Sequence, residues 1–312
     1  MRVVFLGTPA FAVPTLDRLA AAGHEVAAVV TQPDRPRGRG QQAGFPPVKE
    51  AALRLGLPVY QPERIRRPEA RQYLADLAPR AMVVVGYGQI IPQSIIDLAP
   101  LGILNVHASL LPKYRGAAPI QWAIANGETR TGVTIMRIDA GLDTGDVLLK
   151  AETEIGPEEN AVELGGRLST MGAGLLMEAL AGIEADTITP QKQDSAQASY
   201  APLLTKEDGR IDWRQPAIAI DNRVRGLQPW PGASTGWRGQ ALHIWRSRPI
   251  RLAADTGATG TLASVRPLVV RTGEGGLELL EVQQEGRKRM PAADFANGHR
   301  PAENEPLGEI PV

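Results

Sequence analysis

Residues 2–31 read RVVFLGTPAFAVPTLDRLAAAGHEVAAVVT. Two continuous apolar runs, Arg2–Leu6 and Glu25–Thr31, enclose a segment, Val13–Ala22, whose Val13, Leu16, Leu19 and Ala20 recur at helical spacing before Gly23. Apolar runs without alternation are what strands buried on both faces require. A glycine directly after a periodic segment is the usual helix stop. The pattern then repeats, with Val48–Leu55 and Pro68–Leu77 predicted as helices and Leu57–Tyr60, Ala81–Gly86 and Ile103–His107 as strands. Alternation of this kind predicts an α/β fold with a doubly wound, mostly parallel sheet and right-handed crossovers. Ligands in such sheets bind beyond the carboxyl ends of the strands. That puts Thr8, Gly86–Gln89 and His107–Pro112 on the functional side.

Farther along, Asn160–Ile183 predicts a long helix, glycines notwithstanding, and Thr187–Lys206 is polar and proline-punctuated without a sustained period. Beyond it, Ala217–Leu227 reads as one helix, followed by short runs (ALHIW, GTLASV, PLVVRT, GLELLEV) between glycine-rich turns. This is the spacing of a small, OB-like antiparallel β-barrel. The predicted division is a catalytic domain over 1–189, a linker over 190–206 and a barrel domain over 207–312. There is no cysteine, which excludes disulfides, thiolate metal sites and a cysteine nucleophile. Net charge is zero, so a nucleic-acid partner would need a local basic surface. The N-terminus lacks signal-peptide layout and no apolar stretch approaches bilayer length, so the expected compartment is the cytoplasm.

Chemistry concentrates in three places. Asn105 and His107 lie two apart on a predicted strand and therefore share a face, so an amide donor and a proton carrier project together from the ligand end. Taken by itself, such a pair is more often a satisfied polar strand end than a catalytic one. Next, Ser109–Gly116 (SLLPKYRG) is a loop whose central apolar pair, Leu110 and Leu111, has no evident core role and suits a flat, greasy ligand. Lastly, GLDTGD, residues 141–146, sets Asp143 and Asp146 in a glycine-flanked turn between the strand-like runs TGVTIMRI and VLLKAETEI. Aspartate in a turn is ordinary turn chemistry. The Asp-Thr-Gly triplet also occurs in aspartic proteases, but those need a second carboxylate lobe in an all-β frame that this chain lacks.

In that order, NVHASLLPKYRGAAPIQWAI and GVTIMRIDAGLDTGD resemble the folate-dependent formyltransferase family, and the resemblance extends through LGTPAFAVPTLDRL, TQPDRPRGRG, VVVGYGQIIP and RGLQPWPGA over essentially the whole chain. Ala108 stands where many relatives carry glycine, a small-for-small change. The motifs AAPIQ and TQPDRPRGRG point to the branch acting on tRNA. The resemblance implies transfer of formyl from 10-formyltetrahydrofolate to the α-amino group of initiator methionyl-tRNA, by direct attack, in a monomer using no metal. It assigns Asn105 to the formyl oxygen as an oxyanion develops, His107 to the adjacent tetrahedral centre and the amine's proton, and Asp143 to orienting and supporting His107. It gives Ser109, Leu110, Leu111 and Pro112, with Gly88, Gln89 and Ile90, to the pterin.

The same resemblance makes the arginine-bearing segment Pro33–Pro47 the loop that grips the acceptor end of tRNA, with Arg35, Arg37 and above all Arg39 as its contacts. Composition alone leaves a solvated basic loop equally open, because the chain prefers arginine throughout (28 Arg against 6 Lys). Residues 210–300 carry 14 Lys/Arg against 8 Asp/Glu, a net of +6, densest at Arg287, Lys288 and Arg289, which suits a phosphate-facing barrel. The tryptophans Trp213, Trp230, Trp237 and Trp245 are expected to pack in the core rather than to stack on bases. Within the superfamily, a nucleotide-sugar formyltransferase and a formylfolate hydrolase would share the Asn-His-Asp core. Outside it, a nicotinamide oxidoreductase is disfavoured because Gly7-Thr8-Pro9-Ala10 replaces the glycine fingerprint after the first strand. A non-catalytic RNA-binding protein would leave the buried-strand Asn/His pair unexplained.

Overall fold

Valines, leucines and a phenylalanine that find cover on both faces build the central sheet: Val3, Val4, Phe5 and Leu6 are all fully buried. The computed structural model describes residues 1–37, 42–252 and 257–308, with the side chains of 36, 37, 42 and 43 outside that description. Packing divides the chain into two units, one of Met1–Gly116, Arg130–Glu154 and Gly165–Tyr200, the other of the remaining segments.

The first unit holds a seven-stranded sheet in the order Val147–Glu154, Arg130–Arg137, Ile103–His107, Ala81–Val85, Arg2–Gly7, Glu25–Val30, Val59–Tyr60. The five strands from Ile103–His107 to Val59–Tyr60 run parallel, as the strand–helix alternation predicts. Beyond them Arg130–Arg137 runs antiparallel to Ile103–His107, and Val147–Glu154, after the GLDTGD turn, runs antiparallel to Arg130–Arg137. Asn105 pairs with Met136 and His107 with Thr134, while Arg137, which leads into the turn, pairs with Leu104, so the turn folds back along the strand to bring Asp143 to Asn105 and His107. Gly145 makes the return possible, because a Cβ there would lie 1.9 Å from the Arg137 carbonyl oxygen. The helix Ala161–Glu184 keeps its glycines for a related reason. A Cβ on Gly172 would stand 2.6 Å from Val106, whose side chain takes the face opposite Asn105 and His107.

The stretch from 190 is not a free linker up to Tyr200. Gln191 exchanges both backbone hydrogen bonds with Val147, each 2.8 Å, and Ser195–Gln197 forms a 3-10 turn capped by the Asp194 carboxylate. A polar stretch without period conceals this because backbone and side-chain hydrogen bonds, not apolar burial, hold it in place. Within Pro33–Pro47, Arg35–Arg37 pairs with Gln42–Gly44 as a short antiparallel hairpin.

The second unit is a sheet in the order Ala233–Trp237, Gln240–Ile250, Gly276–Gln284, Leu268–Arg271, Leu262–Val265, with Met290–Pro291 pairing on Gly276–Gln284. Its two ends are bridged by the chain near 306–308. Gly308 bonds both ways with Gly236, at 2.7 and 2.9 Å, while Leu307 donates to the Gly260 carbonyl at 2.7 Å. The curl this produces is OB-like, and its core contains Trp213, Trp237, Leu242, Val270, Leu277 and Phe295. Trp213 and Trp237 are buried as expected, Trp213 donating its indole N–H to Thr235 Oγ1 at 3.0 Å. Trp230 departs from the expectation, being half exposed. Helices Pro119–Ala125, not expected from sequence pattern, and Ala217–Gly226 pack within this unit. Gly226 permits their approach, since a Cβ there would meet the Ala125 backbone nitrogen at 2.7 Å. Pro119–Ala125 is short and apolar, a pattern that does not by itself separate helix from strand.

Candidate active site

The structure brings Asn105, His107 and Asp143 together at the carboxyl end of the Ile103–His107 strand. Asn105 is 9% exposed and His107 5%. Asp143 reaches them from the turn: its Oδ1 accepts from Asn105 Nδ2 at 3.5 Å and its Oδ2 lies 3.7 Å from His107 Nδ1. The same Oδ2 accepts the Gly116 backbone N–H at 2.9 Å, which fixes the carboxylate independently of the other two residues. Asp143 holds a left-handed backbone conformation, φ 52°, as does Tyr114 at φ 60°. Non-glycine residues in that region carry strain that surrounding contacts must hold, and such positions concentrate at functional sites.

Tyr114 sets the imidazole. His107 Nε2 is 2.9 Å from the Tyr114 carbonyl oxygen, and a carbonyl only accepts, so Nε2 carries a hydrogen. In the neutral ring Nδ1 is then the lone-pair nitrogen, and it is the one facing Asp143. The arrangement supplies a base at Nδ1 beside an amide donor, with a carboxylate placed to stabilise the ring once Nδ1 has taken a proton. Among the described residues no group of three or more His, Cys, Asp and Glu could hold a metal ion, and no helix is long and apolar enough to cross a membrane.

The loop after the strand is cross-braced by Thr134, which sequence reasoning does not single out. Its Oγ1 accepts the Leu111 N–H at 3.1 Å and donates to the Ser109 carbonyl at 2.7 Å, fully buried. Ser109 Oγ donates to the Lys113 carbonyl at 2.6 Å, and Lys150 Nζ donates to the Leu111 carbonyl. Desolvation pulls the Lys150 ammonium below its ordinary pKa. The expectation that Leu110 and Leu111 lack a core role is corrected for Leu111: it is fully buried against Met136 and Val147, whereas Leu110 remains partly accessible. Pro112 follows a cis peptide bond. Across the strand ends, Tyr87 is buried, which pushes its phenol pKa up, and its carbonyl accepts from Thr8 Oγ1 at 3.0 Å and Gln32 Nε2 at 3.1 Å. Gly88 takes φ 84°. Gln89 accepts the Ile65 N–H at 2.8 Å, a structural tie, and Ile90 is 92% exposed, an apolar side chain with no packing role.

The family profile described as "Formyl transferase" matches residues 1–180, and "Formyl transferase, C-terminal domain" matches 203–300. The methionyl-tRNA formyltransferase of Solibacter usitatus (strain Ellin6076) is 73% identical over 309 residues, covering 99% of each chain. That of Koribacter versatilis (strain Ellin345) is 54% identical over 311 residues, again 99% of each. The chain belongs to the methionyl-tRNA formyltransferase family. Solved structures related at lower identity share the fold. WlaRD, a sugar 3N-formyl transferase, superposes with a TM-score of 0.68 at 17% identity, covering 92% of this chain and 99% of that one. HypX from Aquifex aeolicus, solved with tetrahydrofolic acid, gives 0.66 at 18%, covering 100% of this chain and 49% of that one.

The resemblance also singles out basic residues elsewhere in the chain. Arg35 is exposed on its hairpin, and the side chain of Arg37 and all of Arg39 lie outside the described residues. Arg287, Lys288 and Arg289 are exposed on the second unit, where the Arg289 guanidinium lies 3.4 Å from the centroid of the Trp245 ring. Tyr114, Gly116 and Thr134 act through backbone atoms or a buried hydroxyl, so no residue-type signal distinguishes them.

Proposed function

We propose that this chain transfers the formyl group of 10-formyltetrahydrofolate directly to the α-amino group of initiator methionyl-tRNA. The observation that carries the reading is the tautomer lock: Nε2 of His107 is committed to the Tyr114 carbonyl, leaving Nδ1 as a base next to the Asn105 amide. Asn105, whose bond to Asp143 is long at 3.5 Å, turns an N–H to the formyl oxygen as negative charge builds there, an interaction worth about 10²–10³ in rate. His107 Nδ1 takes the proton released by the attacking amine, Asp143 stabilises the resulting imidazolium across 3.7 Å, and the imidazolium returns the proton to N10 of the donor as the bond from N10 to the formyl carbon breaks and tetrahydrofolate leaves. No covalent enzyme intermediate is required, because holding both substrates together supplies much of the barrier reduction.

The pterin fits the cleft side of the loop braced by Thr134. Ser109, Leu111 and Pro112 contribute their fixed backbone, Leu110 and the exposed Ile90 apolar surface, and Gly88 and Gln89 the facing backbone. Arg35, Arg37, Arg39, Arg287, Lys288 and Arg289 serve the tRNA. We assign catalysis to residues 1–189 and tRNA binding to 207–312, joined by 190–206, in a cytoplasmic monomer. The test is transfer of radiolabelled formyl from 10-formyltetrahydrofolate to methionyl-tRNA by the purified protein, with a nucleotide amino sugar and water as competing acceptors. Labelled sugar or free formate in place of formylmethionyl-tRNA would refute the assignment.

A further inference from the structure

Asp143 holds a left-handed backbone, φ 52°, with its carboxylate aimed at Asn105 and His107, and the bonds within the turn, from Thr144 Oγ1 at 2.7 Å and the Gly141 N–H at 3.0 Å to Asp139 Oδ1, bypass Asp143 itself. One side chain spans the turn from outside. Gln193 Nε2 donates to the Asp143 carbonyl and to the Gly145 carbonyl, both at 2.8 Å. Gln193 Oε1 accepts from Arg115 Nε at 3.1 Å and Nη2 at 2.8 Å. The guanidinium can only donate and the two carbonyls can only accept, so the amide has one orientation that satisfies all four bonds. Arg115 is 3% exposed, and its backbone N–H donates to the Ser199 carbonyl at 2.8 Å. It also precedes Gly116, whose N–H holds Asp143 Oδ2 at 2.9 Å. Backbone and carboxylate of Asp143 are thus gripped from two sides by one connected set of bonds. Gln193 lies in the stretch whose composition reads as linker.

We infer that Gln193, anchored by Arg115, is a positioning residue for formyl transfer that acts through Asp143. Its hydrogen bonds go to the Arg115 guanidinium and to backbone carbonyls, not to the three proposed catalytic side chains, so its effect belongs in kcat and not in the binding of either substrate. The inference rests on the catalytic reading of Asn105, His107 and Asp143.

The experiment compares Gln193→Ala, Gln193→Glu, Asp143→Asn and the Gln193→Ala/Asp143→Asn double variant of the full chain. Each is assayed for kcat and for KM toward 10-formyltetrahydrofolate and methionyl-tRNA, with thermal unfolding run alongside. Misplacement of a catalytic group by about 1 Å costs on the order of 10²-fold. Gln193→Ala is therefore expected to lower kcat roughly 10–10²-fold with both KM values within about twofold of the parent. Gln193→Glu is isosteric and still accepts from Arg115, yet it cannot donate to the two carbonyls, so it should fail to the same degree. It keeps the test decisive if the alanine variant does not fold. In the Asp143→Asn background, Gln193→Ala should cost nothing further, because a residue acting through Asp143 has nothing left to position. A multiplicative loss in the double variant, a near-native kcat for Gln193→Glu, or a change confined to KM would overturn the inference. If Asp143→Asn keeps near-native kcat, the catalytic reading falls and this inference with it. A crippled Asp143→Asn beside an active Gln193→Glu would sink the inference alone.

Discussion

Replacing Asp143 by asparagine isolates what the carboxylate charge does. The variant keeps a carbonyl oxygen for the Gly116 N–H, now 2.9 Å from Oδ2, so the turn retains its main side-chain anchor. Its NH2 group then faces Asn105 Nδ2, placing donor against donor where an acceptor stood at 3.5 Å. The larger loss is electrostatic. The 3.7 Å separation of Oδ2 from His107 Nδ1 lies beyond hydrogen-bond reach, so the interaction with a protonated ring is Coulombic. At an effective dielectric of about 20, two unit charges at that distance attract by about 4–5 kcal/mol. At about 1.4 kcal/mol per factor of ten, this is a ceiling near 10³ in rate. The Asp143 side chain is 18% exposed, so solvent screens part of this, and the amide dipole keeps another part. The expected fall in kcat is roughly 10²–10³-fold. The assay is steady-state formylation of methionyl-tRNA, with the KM for the formyl donor measured in parallel. A kcat within about tenfold of the parent would show that no charge builds on His107 in the rate-limiting step, and the proposed base would be wrong.

Four further outcomes are expected. His107→Asn should lower kcat roughly 10²-fold or more while leaving folate affinity, measured by fluorescence titration, nearly unchanged; near-native turnover would remove His107 from the mechanism. Thr134→Val deprives the buried Leu111 N–H and Ser109 carbonyl of their shared partner. It should cost roughly 1–3 kcal/mol in urea unfolding and raise the KM for the formyl donor, and an unchanged value of both would mean the loop is held by other contacts. Arg39→Leu should weaken use of methionyl-tRNA with folate affinity intact; equal damage to folate binding would contradict that division of labour. Replacing Arg287, Lys288 and Arg289 with glutamine should shallow the log–log salt dependence of tRNA affinity by roughly 0.7–0.9 for every phosphate no longer neutralised. An identical slope would take the cluster out of the interface.

Local rules suffice wherever one physical requirement acts on one segment. Arg2–Leu6, Glu25–Thr31, Ala81–Gly86 and Ile103–His107 are apolar without alternation because both faces need cover, and each forms a strand within a residue or so of its expected bounds. The period of two puts Asn105 and His107 on one face whatever the rest of the chain does. The glycine-punctuated runs after Ala217 form an antiparallel sheet because short β-branched segments between tight turns have few other solutions. What tertiary structure decided is everything that depends on two distant segments meeting. Leu111 reads as a ligand contact and is core, because Met136 and Val147 come to it from a hairpin more than twenty positions on. The helix Pro119–Ala125 owes its place to Gly226, and the stretch after 190 owes its order to hydrogen bonds with Val147, Asp143 and Arg115. The imidazole tautomer, on which the proposed chemistry turns, is set by a backbone carbonyl whose position follows from the left-handed turn at Tyr114. A carbonyl has no side-chain identity to read, so sequence pattern carries apolar periodicity and residue chemistry, while the direction of each polar group exists only once the chain has closed on itself.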